Sequence, residues 1–151
     1  MVRKAIIKES SETSSQGMDL AAIARFEITS EDPEHPIDFA LNAEGSYWRA
    51  AADGEQKIRI VFDTPQKISR IVLLFEEKIV PRTQQFTLSW QRANEAPVEL
   101  VRQQYNFSPP GTTQEREGYD LSLEDVSAIE LVIKPDIGKP ARASLTQLLI
   151  A

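Results

Sequence analysis

Apolar and polar residues alternate along most of this chain. In segment 84–92, Phe86, Leu88 and Trp90 share one face of an extended chain, and polar side chains occupy the positions between them. The other segments with this alternation are 21–28, 56–63 and 127–134. A period of two is typical of a β-strand that places one face on a core and the other in solvent. The pattern therefore predicts a sheet protein, with Trp90 on the core side of its strand.

Further strands are predicted from β-favouring runs between turn signals. Residues 71–75, IVLLF, are apolar throughout and indicate a central strand covered on both faces. The remaining predicted strands are 98–107, 118–123 and 143–150. Prolines such as Pro65 and Pro81 fall between the predicted strands, and the best helical candidate is one or two turns at 36–41. About eight short strands with frequent turns indicate an all-β sandwich or barrel.

The length and charge of the chain limit its organisation and its partners. At 151 residues, without an internal repeat or linker, it is predicted to form one domain over residues 20–151 after a polar arm over residues 1–19. The net charge of −6 disfavours binding to nucleic acid or to a membrane surface. The lack of cysteine excludes disulfides and thiolate chemistry. Residues 1–9 hold too few apolar residues for a secretory signal, so a cytoplasmic location is expected.

The order of several motifs resembles a known family of sheet domains. These motifs are ALNAEGSYW at 40–48, KISRIVLLFEE at 67–77, RTQQF at 82–86 and ASLTQLLI at 143–150. Together they resemble the galactose-binding-like jelly roll of discoidin and coagulation-factor C-type domains. RTQQF and YNFSPPGTT also look similar to segments of small bacterial single-domain relatives. The resemblance implies an antiparallel jelly-roll β-sandwich of about eight strands, with Trp48 packed beneath its loop.

The same resemblance implies a non-catalytic binding module, most often for carbohydrate and sometimes for lipid headgroups or protein surfaces. The calcium-associated loop of the family carries Asp-Gly-Asp or Asp-Gly-Asn, where this chain has Asn42-Ala43-Glu44. The C-terminal Glu that often joins the calcium shell is Gln147 here. Each change removes a charged oxygen that a hard cation would use. We therefore expect no metal site and no cofactor.

Antiparallel strands alternate in direction, which sorts the loops onto two ends of the sandwich. If strand 68–75 runs up, the upper loops are 42–55, 76–83, 108–117 and 135–142, opposite the chain termini. Ligand sites in the resembling family usually lie at that end. The candidate ligand-binding residues there are Tyr47, Arg49, Glu76, Arg82, Tyr105, Asn106 and Arg116. Aromatic rings stack on the C–H faces of polyols, and charged groups bind their hydroxyls, so this set predicts polyol recognition.

Arg82 carries the sharpest form of this prediction. It follows Pro81, which fixes the local backbone, and it lies across the loop from Glu76 and Glu77. The alternative is a surface ion pair across the loop, worth only ~0–1 kcal/mol. Replacing Arg82 by Ala is therefore expected to abolish ligand binding while it lowers stability by less than about 1 kcal/mol.

The segment 31–38, EDPEHPID, contains four carboxylates and the only histidine, His35. It has two interpretations, a divalent-cation site or a solvated acidic loop fixed by two prolines. The second is favoured because the segment lacks the Gly and the alternate spacing of a calcium loop. The chain also lacks a G-x-S-x-G nucleophile turn and a Gly-rich phosphate loop. No residue is therefore assigned a catalytic role.

Three functions remain open at this point. The first is a jelly roll that binds a carbohydrate or another small polyol through the upper loops. The alternative is a protein-interaction module that keeps the fold without a sugar site, which the expected cytoplasmic location favours. An enzyme based on carboxylates that meet in space is a third and weaker option.

Overall fold

The computed structural model describes residues 17–41 and 46–151. Most of the predicted polar arm, and Asn42 in the calcium-associated loop, lie outside these residues. Within them, a single-turn helix α1 (Leu20–Ile23) and a 3₁₀ helix (Ile37–Leu41) accompany eight strands. The strands are β1 (Ala24–Ile28), β2 (Trp48–Asp53), β3 (Gln56–Glu76), β4 (Arg82–Arg92), β5 (Val98–Phe107), β6 (Gln114–Lys134), β7 (Arg142–Leu145) and β8 (Gln147–Ile150). All strand pairs are antiparallel, so the predicted all-β class is confirmed.

Two long strands, β3 and β6, organise the sheet topology. They pair along most of their length, but their register shifts repeatedly between Val61 and Arg70. The first half of β3 pairs with β1, and the last part of β6 pairs with β4, which in turn pairs with β5. The second half of β3 instead pairs with β8. The ring centroids of Phe75 on β3 and Phe86 on β4 lie 5.3 Å apart although these segments do not pair, so the two halves face each other as layers of a sandwich.

Two boundaries of the predicted strands were wrong. Segments 56–63 and 68–75 are one strand, β3, with Pro65 inside it rather than between strands. Segments 118–123 and 127–134 are likewise joined in β6. Both strands bend from one layer to the other where their pairing is irregular. Pro65, which has no N–H for a ladder hydrogen bond, is accommodated in this irregular stretch. Asp125 adopts a left-handed backbone conformation, with φ of 54°, at the corresponding bend of β6.

The C-terminal segment 143–150 is two strands rather than one. β7 pairs with β2, whereas β8 pairs with β3. The chain changes partner at Thr146, whose N–H donates to the carbonyl of Leu74 over 2.8 Å. Strand β2 itself lies within the predicted loop 42–55. A small two-stranded sheet of β2 and β7 therefore lies beside the end of β3.

The core fills the space between the layers. Trp48, Phe75 and Phe86 are among the largest fully buried side chains, so the predicted burial of Trp48 in the core is confirmed. The central position of 71–75 is also confirmed, because four of its five residues are buried and it is paired on both sides. Trp90 is only half-buried against the core, with the guanidinium of Arg92 5.6 Å from its ring centroid. None of the helices in the described ranges is long and apolar enough to cross a membrane.

Candidate functional site

The loops predicted at the upper end meet there. The N–H of Glu77 donates to the carbonyl of Thr113 over 2.8 Å, which joins the β3–β4 loop to the β5–β6 loop. The N–H of Ile137 donates to the carbonyl of Thr83 over 2.9 Å and joins the β6–β7 loop to the start of β4. The strand directions inferred from the sequence therefore give the correct grouping of these loops.

A cleft of about 290 Å³ opens at this end, between the loop after β3 and the small sheet of β2 and β7. Its lining residues are Tyr47, Arg49, Glu76, Glu77, Lys78, Ile79, Arg142, Ser144 and Thr146. Three of the lining residues, Arg142, Ser144 and Thr146, are every second residue along β7 and the position that follows it. They line the same cleft because alternate residues of a strand share a face. The buried residues between them, Ala143 and Leu145, anchor the same segment in the core.

Three hydroxyl groups line the cleft. The side chains of Tyr47, Ser144 and Thr146 make no hydrogen bond to any other described residue. Each hydroxyl can both donate and accept a hydrogen bond. Ile79, beside them, is 83% exposed and offers an apolar surface. The cleft thus combines hydroxyl groups that are available to a ligand with an exposed aliphatic side chain.

Most charged groups of the cleft are compensated within the protein. Arg142 donates to the carbonyl of Ala50 over 2.6 Å and to the carboxylate of Asp32 over 3.3 Å. The N–H of Glu34 and the charge of Arg142 hold the pKa of Asp32 below its usual value. Lys78 lies 4.0 Å from Glu76.

Glu77 fixes the loop that forms one wall of the cleft. Its carboxylate accepts hydrogen bonds from the N–H groups of Ile79 and Val80, both over 3.1 Å, and from the guanidinium of Arg82 over 2.8 Å. Burial alone would raise the pKa of Glu77, but these three donors outweigh it and lower that pKa. The loop is thereby held to the start of β4.

The segment 31–38 supports the opposite wall. The ring of His35 stacks on Tyr47, with centroids 4.2 Å apart and planes 15° apart. The carbonyl of His35 accepts from the N–H of Arg49 over 3.1 Å, and the N–H of Asp32 donates to the carbonyl of Arg49 over 2.9 Å. Across the described ranges, no three His, Asp or Glu side chains converge in a way that could hold a metal ion. In this structure the segment is a turn that positions Tyr47 and Arg49.

Arg82 is not at the surface, as its predicted role required. It is 5% exposed, and its guanidinium donates to Glu77, to the carbonyl of Pro135 over 2.7 Å and to the side-chain oxygen of Gln84 over 3.0 Å. It also lies over the ring of Phe107, 4.8 Å from the centroid. The premise of an exposed ion pair was therefore wrong, because Arg82 continues the inward face of β4. Its side chain supports the cleft wall from behind.

The seven candidate residues separate into two groups. Tyr47, Arg49 and Glu76 line the cleft, whereas the other four do not. The hydroxyl of Tyr105 donates to the carbonyl of Gln114 over 2.9 Å, and the side-chain oxygen of Asn106 accepts from Thr83 over 2.7 Å. Arg116 is exposed on β6. A ligand role for these residues stays a prediction.

Sequence reasoning missed several residues of the cleft. Lys78 and Ile79 lie in the predicted upper loop 76–83, of which only Glu76, Glu77 and Arg82 were considered as site residues. Ser144 and Thr146 were missed because 143–150 was interpreted as a single strand, and Arg142, in the predicted upper loop 135–142, was not singled out. The alternation of RASLT, with polar residues at every second position, was the signal that could have identified them.

A buried acidic group lies behind the cleft wall, between the layers. Glu115 on β6 is 2% exposed, and one of its carboxylate oxygens accepts from the amide of Gln84 over 3.2 Å. Burial, followed by the neighbouring Glu117, raises the pKa of Glu115 to about 8. Burial and the two glutamates also raise the pKa of Tyr119 to about 12. At neutral pH the Glu115 carboxyl is therefore largely protonated.

The fold is a galactose-binding-like jelly roll, as the sequence resemblance implied, and family 32 carbohydrate-binding modules of known structure share it. The module from Clostridium perfringens NanJ, solved in complex with galactose, superposes with a TM-score of 0.61 at 13% identity over 84% of this chain and 92% of the module. Another, from a Clostridium perfringens family 31 glycoside hydrolase, gives a TM-score of 0.64 at 13% identity over 94% of this chain and 97% of the module.

Some similar structures are parts of larger enzymes. A Ruminococcus gnavus family 29 fucosidase, solved in complex with fucose, superposes with a TM-score of 0.65 at 11% identity over 88% of this chain but only 26% of the enzyme. No protein-family profile matches the sequence, and no curated protein is similar to it in sequence. At such low identities the structural comparisons establish the fold alone.

Proposed function

We propose that this protein is a non-catalytic carbohydrate-binding module that holds a sugar in the cleft between β7 and the loop after β3. The observation that carries the proposal is the lining of the cleft, in which three residues whose hydroxyls have no partner among the described residues lie with an exposed aliphatic side chain. A pyranose has ring hydroxyls for the former and an apolar C–H face for the latter. Ile79 is the residue suited to that face, and Tyr47 and Ser144 are suited to the hydroxyls.

The similar structures support the same proposal. Complexes of family 32 modules are described with galactose, with GalNAc-β-1,3-galactose and with 4,5-unsaturated mannuronic acid. Another similar structure is described as a pectin-binding module. The ligands named for these proteins differ in their sugars, so they favour carbohydrate as the class without selecting one sugar for this chain.

The test is a titration of the purified protein with a panel of monosaccharides and short oligosaccharides, followed by NMR or calorimetry. We expect Tyr47→Ala to weaken binding at least tenfold, which corresponds to about 1.4 kcal/mol. The matched control is Tyr119→Ala, since Tyr119 is also half-buried but does not line the cleft. The absence of binding to every sugar, or an equal loss in both variants, would contradict the proposal.

A second candidate function is suggested by the apolar residues at the same end. Ile79, Val80 and Ile137 are 83%, 51% and 54% exposed. Exposed apolar residues that lie together are typical of protein interfaces. This interaction module would bind a protein through the loops after β3 and β6. Replacement of Ile137 by Ser distinguishes sugar binding from protein binding. Because Ile137 does not line the cleft, this replacement should weaken only the binding of a protein.

A further inference from the structure

The charges of the cleft leave one group uncompensated among the described residues. Glu77 is paired with Arg82, Arg142 with Asp32, and Lys78 with Glu76. The guanidinium of Arg49 lines the same cleft but makes no hydrogen bond or ion pair to another described side chain. The protein as a whole carries a net charge of −6, yet this cleft holds a cationic group with no acidic partner in the described ranges.

The backbone of Arg49 is fixed, although its side chain has no partner in the part of the chain that the structure describes. Its N–H and its carbonyl are both hydrogen-bonded to the 32–35 turn, and it pairs in register with Ser144 of β7. A guanidinium on a fixed strand presents a planar fork of donors that matches the two oxygens of an anionic group. Tyr47, Ser144 and Thr146, each of which carries a hydroxyl, line the same cleft.

We infer that the ligand of this cleft is an anionic sugar, with Arg49 bound to its negative group and the hydroxyls of the cleft bound to its ring. The inference rests on the proposed function, because it names the class of carbohydrate for the same cleft. A carboxylate, as in a uronic acid, and a sulfate ester would both supply the required charge. Neutral hexoses would leave the guanidinium with hydroxyl partners only, and such hydrogen bonds are weaker than those between ions.

The experiment compares matched neutral and anionic sugars. Galactose, glucose and mannose are titrated beside galacturonate, glucuronate and mannuronate, with galacturonate methyl ester and galactose 6-sulfate as additional probes. We expect the acid of at least one pair to bind about tenfold more tightly than its neutral partner, and the preference to shrink as salt increases. The methyl ester should bind like the neutral sugar. Galactose 6-sulfate shows whether a carboxylate or any anion is accepted.

Variants test whether Arg49 is the source of the preference. Arg49→Gln should bring the affinities of the acid and the neutral sugar to within about twofold of each other. Arg25→Gln is the control, since it removes the same charge from an exposed arginine of β1 outside the cleft, and it should keep the full preference. Thermal melting of both variants verifies that they are folded.

The outcomes separate this inference from the proposed function. If neutral sugars bind as tightly as acids, the anionic class is wrong while carbohydrate binding stands. An acid preference that survives Arg49→Gln also overturns the assignment of the charge to Arg49. If no sugar of either class binds, the proposed function itself is wrong.

Discussion

Replacement of Glu115 by Gln should make the protein more stable at neutral and alkaline pH. Glu115 lies between the layers with one carboxylate oxygen bound by Gln84. The other oxygen has no donor among the described residues, and the neighbouring carboxylate of Glu117 favours the protonated form of the side chain. A glutamine of nearly the same shape keeps these contacts and its amide can donate to Glu117 without taking up a proton.

The magnitude follows from the shifted pKa. Glu115 has a pKa of about 8 in the folded protein, against an ordinary value of 4.5. Because the pKa of Glu115 is raised in the folded protein, the folded state binds this proton more tightly than the unfolded state does. The stabilisation that results is complete below about pH 4.5. It is lost progressively as the pH rises to about 8 and is constant above that. At pH 7 the loss amounts to roughly 3 kcal/mol, from about 1.4 kcal/mol for each pH unit above 4.5.

The assay is thermal and urea unfolding of the wild type and of Glu115→Gln between pH 5 and pH 9. We expect the free energy of unfolding of the wild type to decline across this range relative to the variant. The variant should exceed the wild type by up to about 3 kcal/mol at pH 7, which is up to about 10 °C in melting temperature for a chain of this size, and by more at pH 8. Glu95→Gln, at an exposed turn, is the control and should follow the wild type. Parallel pH profiles for the wild type and Glu115→Gln would refute this reasoning.

Three further results are expected. Arg82→Ala should lower the free energy of unfolding by about 3–5 kcal/mol in urea titrations, because it leaves the half-buried carboxylate of Glu77 without its cation; a loss below about 1 kcal/mol would restore the surface-pair interpretation. His35→Ala should weaken sugar binding several-fold in NMR titrations, since Tyr47 loses a stacking partner worth ~0.5–1.5 kcal/mol, whereas His35→Phe should keep the affinity; equal affinities in the two variants would exclude this role. A chelator should lower the melting temperature by less than about 5 °C, as Gln147 in place of Glu predicts, and a larger decrease would indicate a bound cation.

The strands could be predicted from the sequence because alternation is a local property. Each of the segments 56–63, 68–75 and 127–134 lies in a strand of the structure. What the sequence did not reveal is how these segments are connected. A proline at a corner of a continuous strand has the same local signature as a proline in a turn, and only the pairing partners on either side of Pro65 distinguish the two.

The candidate site was predicted in part, for reasons that differ between residues. Tyr47, Arg49 and Glu76 were found because strand direction alone assigns their loops to one end. The burial of Arg82 could have been predicted as well, since Arg82 and Gln84 are in phase with Phe86 and Leu88 on the inward face of β4. Its charge concealed this, because an arginine beside a proline loop is usually exposed. The partners that compensate a buried charge come from distant segments and cannot be identified from spacing.

That inward face also connects the cleft wall to the buried acid. Glu77 binds Arg82, Arg82 donates to the oxygen of Gln84, and the amide of Gln84 donates to Glu115. Replacements of Arg82 and Glu115 should therefore have different effects on stability and on sugar affinity. Arg82 holds the loop that carries Ile79, so its removal should reduce both stability and sugar affinity. Glu115 joins this series through the hydrogen bond that it accepts from the amide of Gln84, and the side-chain oxygen of a glutamine at position 115 can accept the same bond. Glu115→Gln should therefore change the pH dependence of stability and leave sugar affinity unaltered.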